Sequence, residues 1–287
     1  MDLSIIIPSY NTSALLERCL TSIYKSLRKS EITFEVIVVD NASTDGTPEV
    51  VRSQFSHVHL VRNKENVGYG KANNQGISGA KGTYILLLNS DTVAKDDAIG
   101  GLYRFIMKKH HAFVGGKLLN EDGSTQSSCG PFFTIIRVFL MLFVRGDYWG
   151  VTRYSPTSTR VVDWVSGACL MGRKTDFMQI GLFDEGIFMY MEDIDFLYRA
   201  RIMDFRAWFY PDAQFIHVGA ASSKSRKTPV VNIFRGLVYF YKKYYGIIQQ
   251  MMLHRMLRGK ALAAIIVGRM IGKPGIVQTY EEALRVL

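Results

Sequence analysis

Cysteine is scarce: Cys19, Cys129 and Cys169 are the only three in 287 residues. An odd number of widely spaced thiols excludes a disulfide framework and a Cys-x-x-Cys metal site, and fits small buried side chains in a reducing cytoplasm. The chain opens "MDLSIIIPSY", with no cationic segment before its apolar run and no small-residue cleavage site, so no secretory leader is expected. Long apolar runs are missing too. The most apolar stretch, "FFTIIRVFLMLFV" (132–144), contains Arg137 and falls short of the roughly 18–20 residues a membrane span needs. There is no internal repeat and no low-complexity linker. Neither a P-loop ending in Gly-Lys-Ser/Thr nor a dinucleotide fingerprint occurs, which removes the main support for phosphoryl-transfer and oxidoreductase readings.

Acidic residues are absent from 213–280, a stretch that carries eleven Lys or Arg. The formal net charge of +10 therefore resides in the C-terminal quarter, since the rest of the chain holds 24 basic and 25 acidic residues. Over the whole chain the composition, 48% hydrophobic and 21% charged, is that of a folded protein long enough for one large domain or a domain plus an appendage.

Residues 1–120 alternate two periodicities. "LSIII" (3–7), "FEVIVVD" (34–40), "VHLVR" (58–62) and "YILLL" (84–88) have strand length and β-branched or apolar character. Between the first two, Leu15, Leu16, Cys19, Leu20, Ile23 and Leu27 recur at helical spacing, and Thr12 or Ser13 can cap that helix. "DDAIGGLYRFIMKK" (96–109) predicts a helix with acids in its first turn and lysines in its last. Such alternation implies an α/β fold with a mostly parallel sheet flanked by helices, whose ligands gather at the carboxyl ends of the strands. Farther on, "AFVGGKLL" and "WVSGACLMG" read as strands, "EDIDFLYRARI" (192–202) as a helix, and "AWFYPDAQFIHV" (207–218) as extended chain.

The unusual polar residues cluster at those strand ends. Asp40 and Asp45 flank the turn "DNASTDG", where they can serve a ligand or simply the turn, with Thr44 or Asp45 capping the helix that begins near Pro48. Asn89-Ser90-Asp91 ends the fourth strand, and Asp91 there offers hard oxygen donors suited to Mg²⁺ or Mn²⁺ on a diphosphate, or a turn and cap. Glu192, Asp193 and Asp195 exceed what capping one helix needs, and mutual repulsion raises one of them toward a general base's range. His217, at the end of an apolar strand, is either structural or a ligand.

Seven motifs in order, "SIIIPSYN", "VIVVDNASTDGT", "NVGYGKANNQG", "LLLNSDT", "VSGACLMGRK", "FMYMEDIDFLYRA" and "FIHVGAAS", resemble the inverting family 2 glycosyltransferases of GT-A fold, above all the rhamnosyltransferase-like members. The resemblance spans about residues 3–220. It implies that Pro8, Tyr10, Asn11, Asp40 and Asp45 hold the nucleoside of a nucleotide-sugar donor, and that Asn66, Gly68 and Asn74 support its ribose or diphosphate. Asn89-Ser90-Asp91 stands where the family has Asp-x-Asp, so Asp91 and His217 would bind a divalent metal, Mg²⁺ or Mn²⁺. Asp193 would be the catalytic base with Glu192 its neighbour, and Ser166, Gly167 and Ala168 would line the donor-sugar and acceptor pocket. Asn89 departs from the pattern by lacking a charge. A nucleotidyltransferase of sugar phosphates, or a non-catalytic nucleotide-sugar-binding protein at a membrane surface, are the competing readings.

The expected organisation is a glycosyltransferase domain over 1–220, with a donor half to about 115 and an acceptor half from about 116, followed by a basic amphipathic helical extension over 221–287. Basic residues interleaved with aromatics in "FRGLVYFYKKYYG" suit an anionic membrane surface better than nucleic acid, for which no recognition motif is present. A solvated basic face or a homodimer interface remains open. The resulting expectation is an enzyme at the inner face of the cytoplasmic membrane, acting on a saccharide or lipid-linked acceptor in cell-surface polysaccharide synthesis. The resemblance alone suggests dTDP-rhamnose as donor, with UDP-sugars next.

Overall fold

The computed structural model describes residues 1–219 and 227–287; Ala220, Ala221 and Ser222 of the last motif, and Lys224 and Arg226 of the basic set, lie outside them. From the N-terminus come β1 (Leu3–Ser9), α1 (Ser13–Leu27), β2 (Phe34–Asp40), α2 (Thr47–Gln54), β3 (His59–Arg62), α3 (Tyr69–Gly79) and β4 (Tyr84–Leu88). Next are β5 (Thr92–Ala94), α4 (Ala98–Ile106), β6 (Ala112–Leu119), β7 (Thr125–Gln126), β8 (Cys129–Gly130) and α5 (Ile135–Phe143). They are followed by β9 (Arg160–Val162), β10 (Trp164–Val165), β11 (Cys169–Arg173), α6 (Lys174–Ile180), α7 (Glu192–Ile202) and β12 (Arg206–His217). Three helices close the chain: α8 (Lys227–Tyr244), α9 (Ile247–Met270) and α10 (Pro274–Leu284).

The main sheet has the order β3-β2-β1-β4-β11-β6-β12-β5. The first four strands run parallel, as does β12 with β6. β11 enters antiparallel between β4 and β6, and β5 lies antiparallel on β12. The sheet is thus mostly parallel, with both faces covered, and β1 and β4 are buried along their whole length as strands between two helical layers must be. Alternation sends Ile6, Ile85 and Leu87 into one core with α3, α6 and α7, and Ile5, Leu86 and Leu88 into the other with α1, α2 and α4.

Three local expectations are corrected. "WVSGACLMG" is not one strand: Trp164 and Val165 pair with β8 in a separate two-stranded sheet, Ser166-Gly167-Ala168 turns, and β11 joins the main sheet. The α4 helix starts at Ala98, so Asp96, whose φ is +46°, and Asp97 precede its first turn, and Asp97 instead pairs with Arg104. Thr12 does not cap α1 through its side chain.

The basic C-terminal segment is built into the first core. Phe234, Leu237, Phe240, Tyr241, Leu253 and Leu257 are buried there beside Phe196 and Leu197 of α7. Where α8 crosses the 190–191 turn it carries Gly236, at which a Cβ would come within 2.7 Å of Met191 Cγ, so only glycine permits that approach. Among the described residues no helix is long and apolar enough to cross a membrane.

Candidate active site

The strand ends open into a cavity of about 660 Å³. On one wall β4 delivers Asn89, Ser90 and Asp91. The Asn89 N–H donates to the Ala168 carbonyl (3.1 Å), and Thr12 donates through its hydroxyl to Ser90 Oγ (2.9 Å), which fixes the turn against α1 and the start of β11. Because β12 pairs with β5 in the register His217↔Thr92, His217 arrives beside Asp91. Its Nε2 stands 3.4 Å from Asp91 Oδ1, while Asp91 Oδ2 accepts from the Gly219 N–H at 2.9 Å.

The surroundings of His217 select its tautomer. Nδ1 lies 2.6 Å from Gln126 Oε1, to which it can only donate, so Nε2 keeps its lone pair and accepts from Asn89 Nδ2 at 3.2 Å. Burial lowers the histidine's pKa and outweighs the opposing pull of Asp91, favouring the neutral ring. A neutral imidazole oriented by a second group and facing a carboxylate is a donor pair for a hard divalent cation. Adjacent ligands of an octahedral ion stand about 3 Å apart, near the separation seen here. Asn89 Oδ1 is buried without a hydrogen-bond partner in this wall, a further oxygen available to such an ion. Among the described residues no group of three or more His, Cys, Asp or Glu gathers into a metal cage, so the pair would leave most coordination positions to ligand oxygens and water.

Another part of the wall is the first turn of α7. Tyr190 and Met191 precede it with φ of +67° and +76°, conformations that non-glycine residues hold only when packing imposes them. Asp193 Oδ2 accepts from the Gly167 N–H (2.9 Å) and Oδ1 from the Ile194 N–H (2.8 Å). Glu192 is more deeply enclosed and its Oε2 has no partner. Burial first, and the Asp193 charge second, push Glu192 up to about 8. Burial also raises Asp193, against the Gly167 hydrogen bond and the nearby Arg153 charge. The third carboxylate serves packing instead. Asp195, fully buried, accepts from Arg199 Nε (3.0 Å), Lys243 Nζ (2.8 Å) and the Tyr244 hydroxyl (2.7 Å), tying α7 to α8.

Pro8, Tyr10, Asn66, Asn89, Ser90, Asp91, Ser166, Gly167, Ala168, Glu192, Asp193 and His217 all line this one cavity. Asn11, Asp40, Asp45, Gly68 and Asn74 are not among its lining residues, and each is engaged in holding loops. Asn11 Oδ1 accepts from the Thr44 N–H (2.8 Å), joining the loops after β1 and β2. Asp40 is fully buried, 3.9 Å from Arg62 Nε. Asp45 caps two helices, accepting from the Ser13 N–H (2.8 Å) and from Thr47, and these bonds outweigh burial to hold it below the usual carboxylate range. Asn74 brackets Phe183, donating to its carbonyl and accepting from its N–H, both at 2.9 Å. At Gly68, with φ of +86°, a Cβ would sit 2.4 Å from the Phe188 carbonyl oxygen.

Sequence reasoning missed several lining residues: Tyr69, whose hydroxyl donates to the Gly167 carbonyl at 2.6 Å, Gln126, Arg153, and Ile233 and Leu237 of α8. Only Tyr69 carried a local signal, inside the "NVGYG" motif.

Comparison with known proteins decides among the readings. The model of the family described as glycosyl transferase family 2 matches residues 4–157. The N-acetylglucosaminyl-diphospho-decaprenol L-rhamnosyltransferase of Mycobacterium tuberculosis is 31% identical over 241 residues, 77% of each chain. The chain belongs to glycosyl transferase family 2. As a member of that family it is a glycosyltransferase, and the nucleotidyltransferase and non-catalytic readings fall away. Rhamnosyltransferase WbbL of Escherichia coli is 29% identical over 55% of this chain and 63% of its own. Among solved structures, the mannosyltransferase PcManGT of Pyrobaculum calidifontis, in complex with GDP-Man and Mn²⁺, superposes with a TM-score of 0.58 at 20% identity, over 99% of this chain and 74% of its own. That likeness identifies the GT-A fold of this family 2 enzyme.

Proposed function

We propose that this glycosyltransferase moves a sugar, rhamnose from dTDP-rhamnose in the first instance and a UDP-sugar in the second, onto a polyprenyl-diphosphate-linked saccharide in cell-surface polysaccharide synthesis. The observation that carries the proposal is that the Asp193 carboxylate and the Asp91–His217 pair line the same cavity. The names of the mycobacterial and E. coli relatives support rhamnose, and the first also supports the lipid-linked acceptor. Because that acceptor is membrane-bound, the enzyme would work at the inner face of the cytoplasmic membrane.

In this reading Asp91 and His217 hold Mg²⁺ or Mn²⁺, which supplies positive charge against the leaving diphosphate. Pro8, Tyr10 and Asn66 border the donor side, and Ser166-Gly167-Ala168, fixed by bonds to Asp193 and Tyr69, shape the sugar pocket. Asp193 takes the proton of the acceptor hydroxyl as that oxygen attacks the anomeric carbon from the face opposite the diphosphate. One displacement inverts the anomeric centre. Held beside the donor in this cavity, the acceptor reacts as part of one complex rather than by encounter.

The test is release of nucleoside diphosphate across a panel of dTDP-, UDP- and GDP-sugars with a lipid-linked acceptor, with and without Mn²⁺ or Mg²⁺. Turnover with one donor, abolished by excess EDTA and by Asp193→Asn, is the expected result. Full activity in EDTA would remove the metal from the proposal, and turnover unaffected by Asp193→Asn would remove the base.

A further inference from the structure

The apolar stretch at 132–144, too short to span a bilayer, is largely the helix α5, and α5 is not buried. Its inner side packs on the core through Val138, yet Ile136, Phe139 and Phe143, at spacings of three and four, form a stripe with exposures of 70%, 47% and 44%. The chain then leaves α5 through Val144 and presents Tyr148 and Trp149, 77% and 69% exposed, with ring centroids 5.2 Å apart. The one carboxylate in this segment, Asp147, takes a hydrogen bond from Thr152 and lines the cavity.

The α9 helix packs against α5 and continues the pattern. Its outward side exposes Ile248, Met252, Ile266 and Met270, and interleaves them with exposed Arg255 and Arg258, while Arg269 near its end pairs with Glu281 of α10 at 3.1 Å. Exposed apolar side chains on two helices that pack together call for a covering. The interleaved arginines, with no acid anywhere in α9, match an anionic surface, and they would oppose their own copies across a two-fold interface. Tyrosine and tryptophan at the tip of the turn are the residues that settle at a lipid–water boundary.

The same segment reaches the active site on its inner side. Met141, Asp147 and Arg153 line the cavity, as does Ile233 of α8. We infer that α5, the 144–151 turn and the outer side of α9 form one face that lies in the headgroup region of an anionic bilayer, with the cavity rimmed by that face. An acceptor anchored by its lipid would then meet the cavity at the depth of its diphosphate, without leaving the membrane. The inference rests on the proposed lipid-linked acceptor and names the surface that would meet it.

The test uses the full chain with vesicles of phosphatidylcholine alone or with phosphatidylglycerol. Sedimentation with the anionic vesicles at low salt is expected, with a blue shift of tryptophan emission from Trp149, because Trp164 is already buried and Trp208 is half-buried against Phe105, away from this face. Ile136→Ser/Phe139→Ser/Phe143→Ser, which keeps Trp149 as reporter, should abolish the shift, and Arg255→Gln/Arg258→Gln should weaken binding to anionic vesicles by about thirtyfold. All five side chains are exposed and outside the cavity lining, so turnover of a short-chain, water-soluble acceptor should persist in both variants. Absence of binding to either vesicle, with that soluble turnover intact, overturns the surface and leaves the transferase reading standing. A concentration-dependent dimer in sedimentation velocity, abolished by the same substitutions and unaccompanied by vesicle binding, would assign the face to a second copy instead. Vesicle binding without any sugar transfer would count against the proposed function and not against the surface.

Discussion

Glu192 and Asp193 are sequence neighbours with opposite surroundings, and the difference assigns their protons. Burial raises both, but at Asp193 two backbone N–H bonds and the Arg153 charge oppose the rise, whereas Glu192 is buried with an unpartnered oxygen and is pushed up to about 8. Glu192 therefore keeps its proton near neutral pH, and Asp193, the better bonded of the two, is the one the proposed mechanism uses as base. Asp193→Asn should cost about 10²–10⁴-fold in kcat, while Glu192→Gln, isosteric with the protonated form, should keep activity within about tenfold of the parent at pH 7. A folded state that keeps the Glu192 proton above the ordinary value of 4.5 gains stability at low pH and loses it as pH rises toward about 8. Melting temperature against pH should fall across that window in the parent and flatten in Glu192→Gln; an unchanged slope would refute the protonated assignment. The other wall yields a second expectation. Asn89→Asp restores a carboxylate beside Asp91 and should lower the half-saturating Mn²⁺ concentration in an activity titration. Both walls were legible from sequence, because a carboxylate or histidine at the end of an apolar strand or in a crowded first turn stands out locally. Arg153 was not, since its place in the cavity depends on a loop whose path no spacing reveals.

At the scale of elements, the contact between α7 and α8 holds the first turn of α7 in place. Lys243 Nζ donates to Asp184 Oδ2 (2.6 Å) and Asp195 Oδ1 (2.8 Å); burial opposes its charge, but these bonds prevail and hold it protonated above its usual range. Removing the ammonium leaves buried Asp195 with Arg199 as its remaining cation, so Lys243→Met should cost about 2–3 kcal/mol. Urea unfolding of parent and variant measures it, and a change within error would mean the pair contributes nothing net. The α7 helix spans 192–202 as its apolar spacing predicts, because helical period and acidic first turn agree there. The "WVSGACLMG" segment misleads for the converse reason. An unbroken run of small and apolar residues gives no sign that Ser166-Gly167-Ala168 turns, nor that β11 runs antiparallel between two strands of the opposite sense, a placement decided by distant partners. Asp195, grouped by sequence with the catalytic acids, is separated from them by helical geometry: two positions beyond Asp193, it points to Lys243 and Tyr244 rather than into the cavity.

Over the whole molecule, charge and packing divide the chain differently. The acid-free stretch makes residues 221–287 look like an appendage, because net charge is read along the sequence while burial is set in space. In the structure Phe234, Leu237, Phe240 and Tyr241 fill the core that also holds Phe196, Trp164 and Phe133, and the Tyr241 hydroxyl donates to the Phe133 carbonyl at 2.9 Å. Full burial of side chains of this size contributes about 1.5–3 kcal/mol each, so taking away three helices would strip more than a domain's usual margin of stability. The α8 helix also supplies Pro229, Ile233 and Leu237 to the cavity wall. The intact chain should therefore unfold in one transition, with near-ultraviolet dichroism and tryptophan emission coincident in urea. A fragment ending at residue 226 should be insoluble, or molten with no near-ultraviolet signal, and inactive toward even a soluble acceptor. A soluble, cooperatively folding 1–226 fragment would show instead that the C-terminal helices form an independent unit whose buried aromatics add nothing to the catalytic fold.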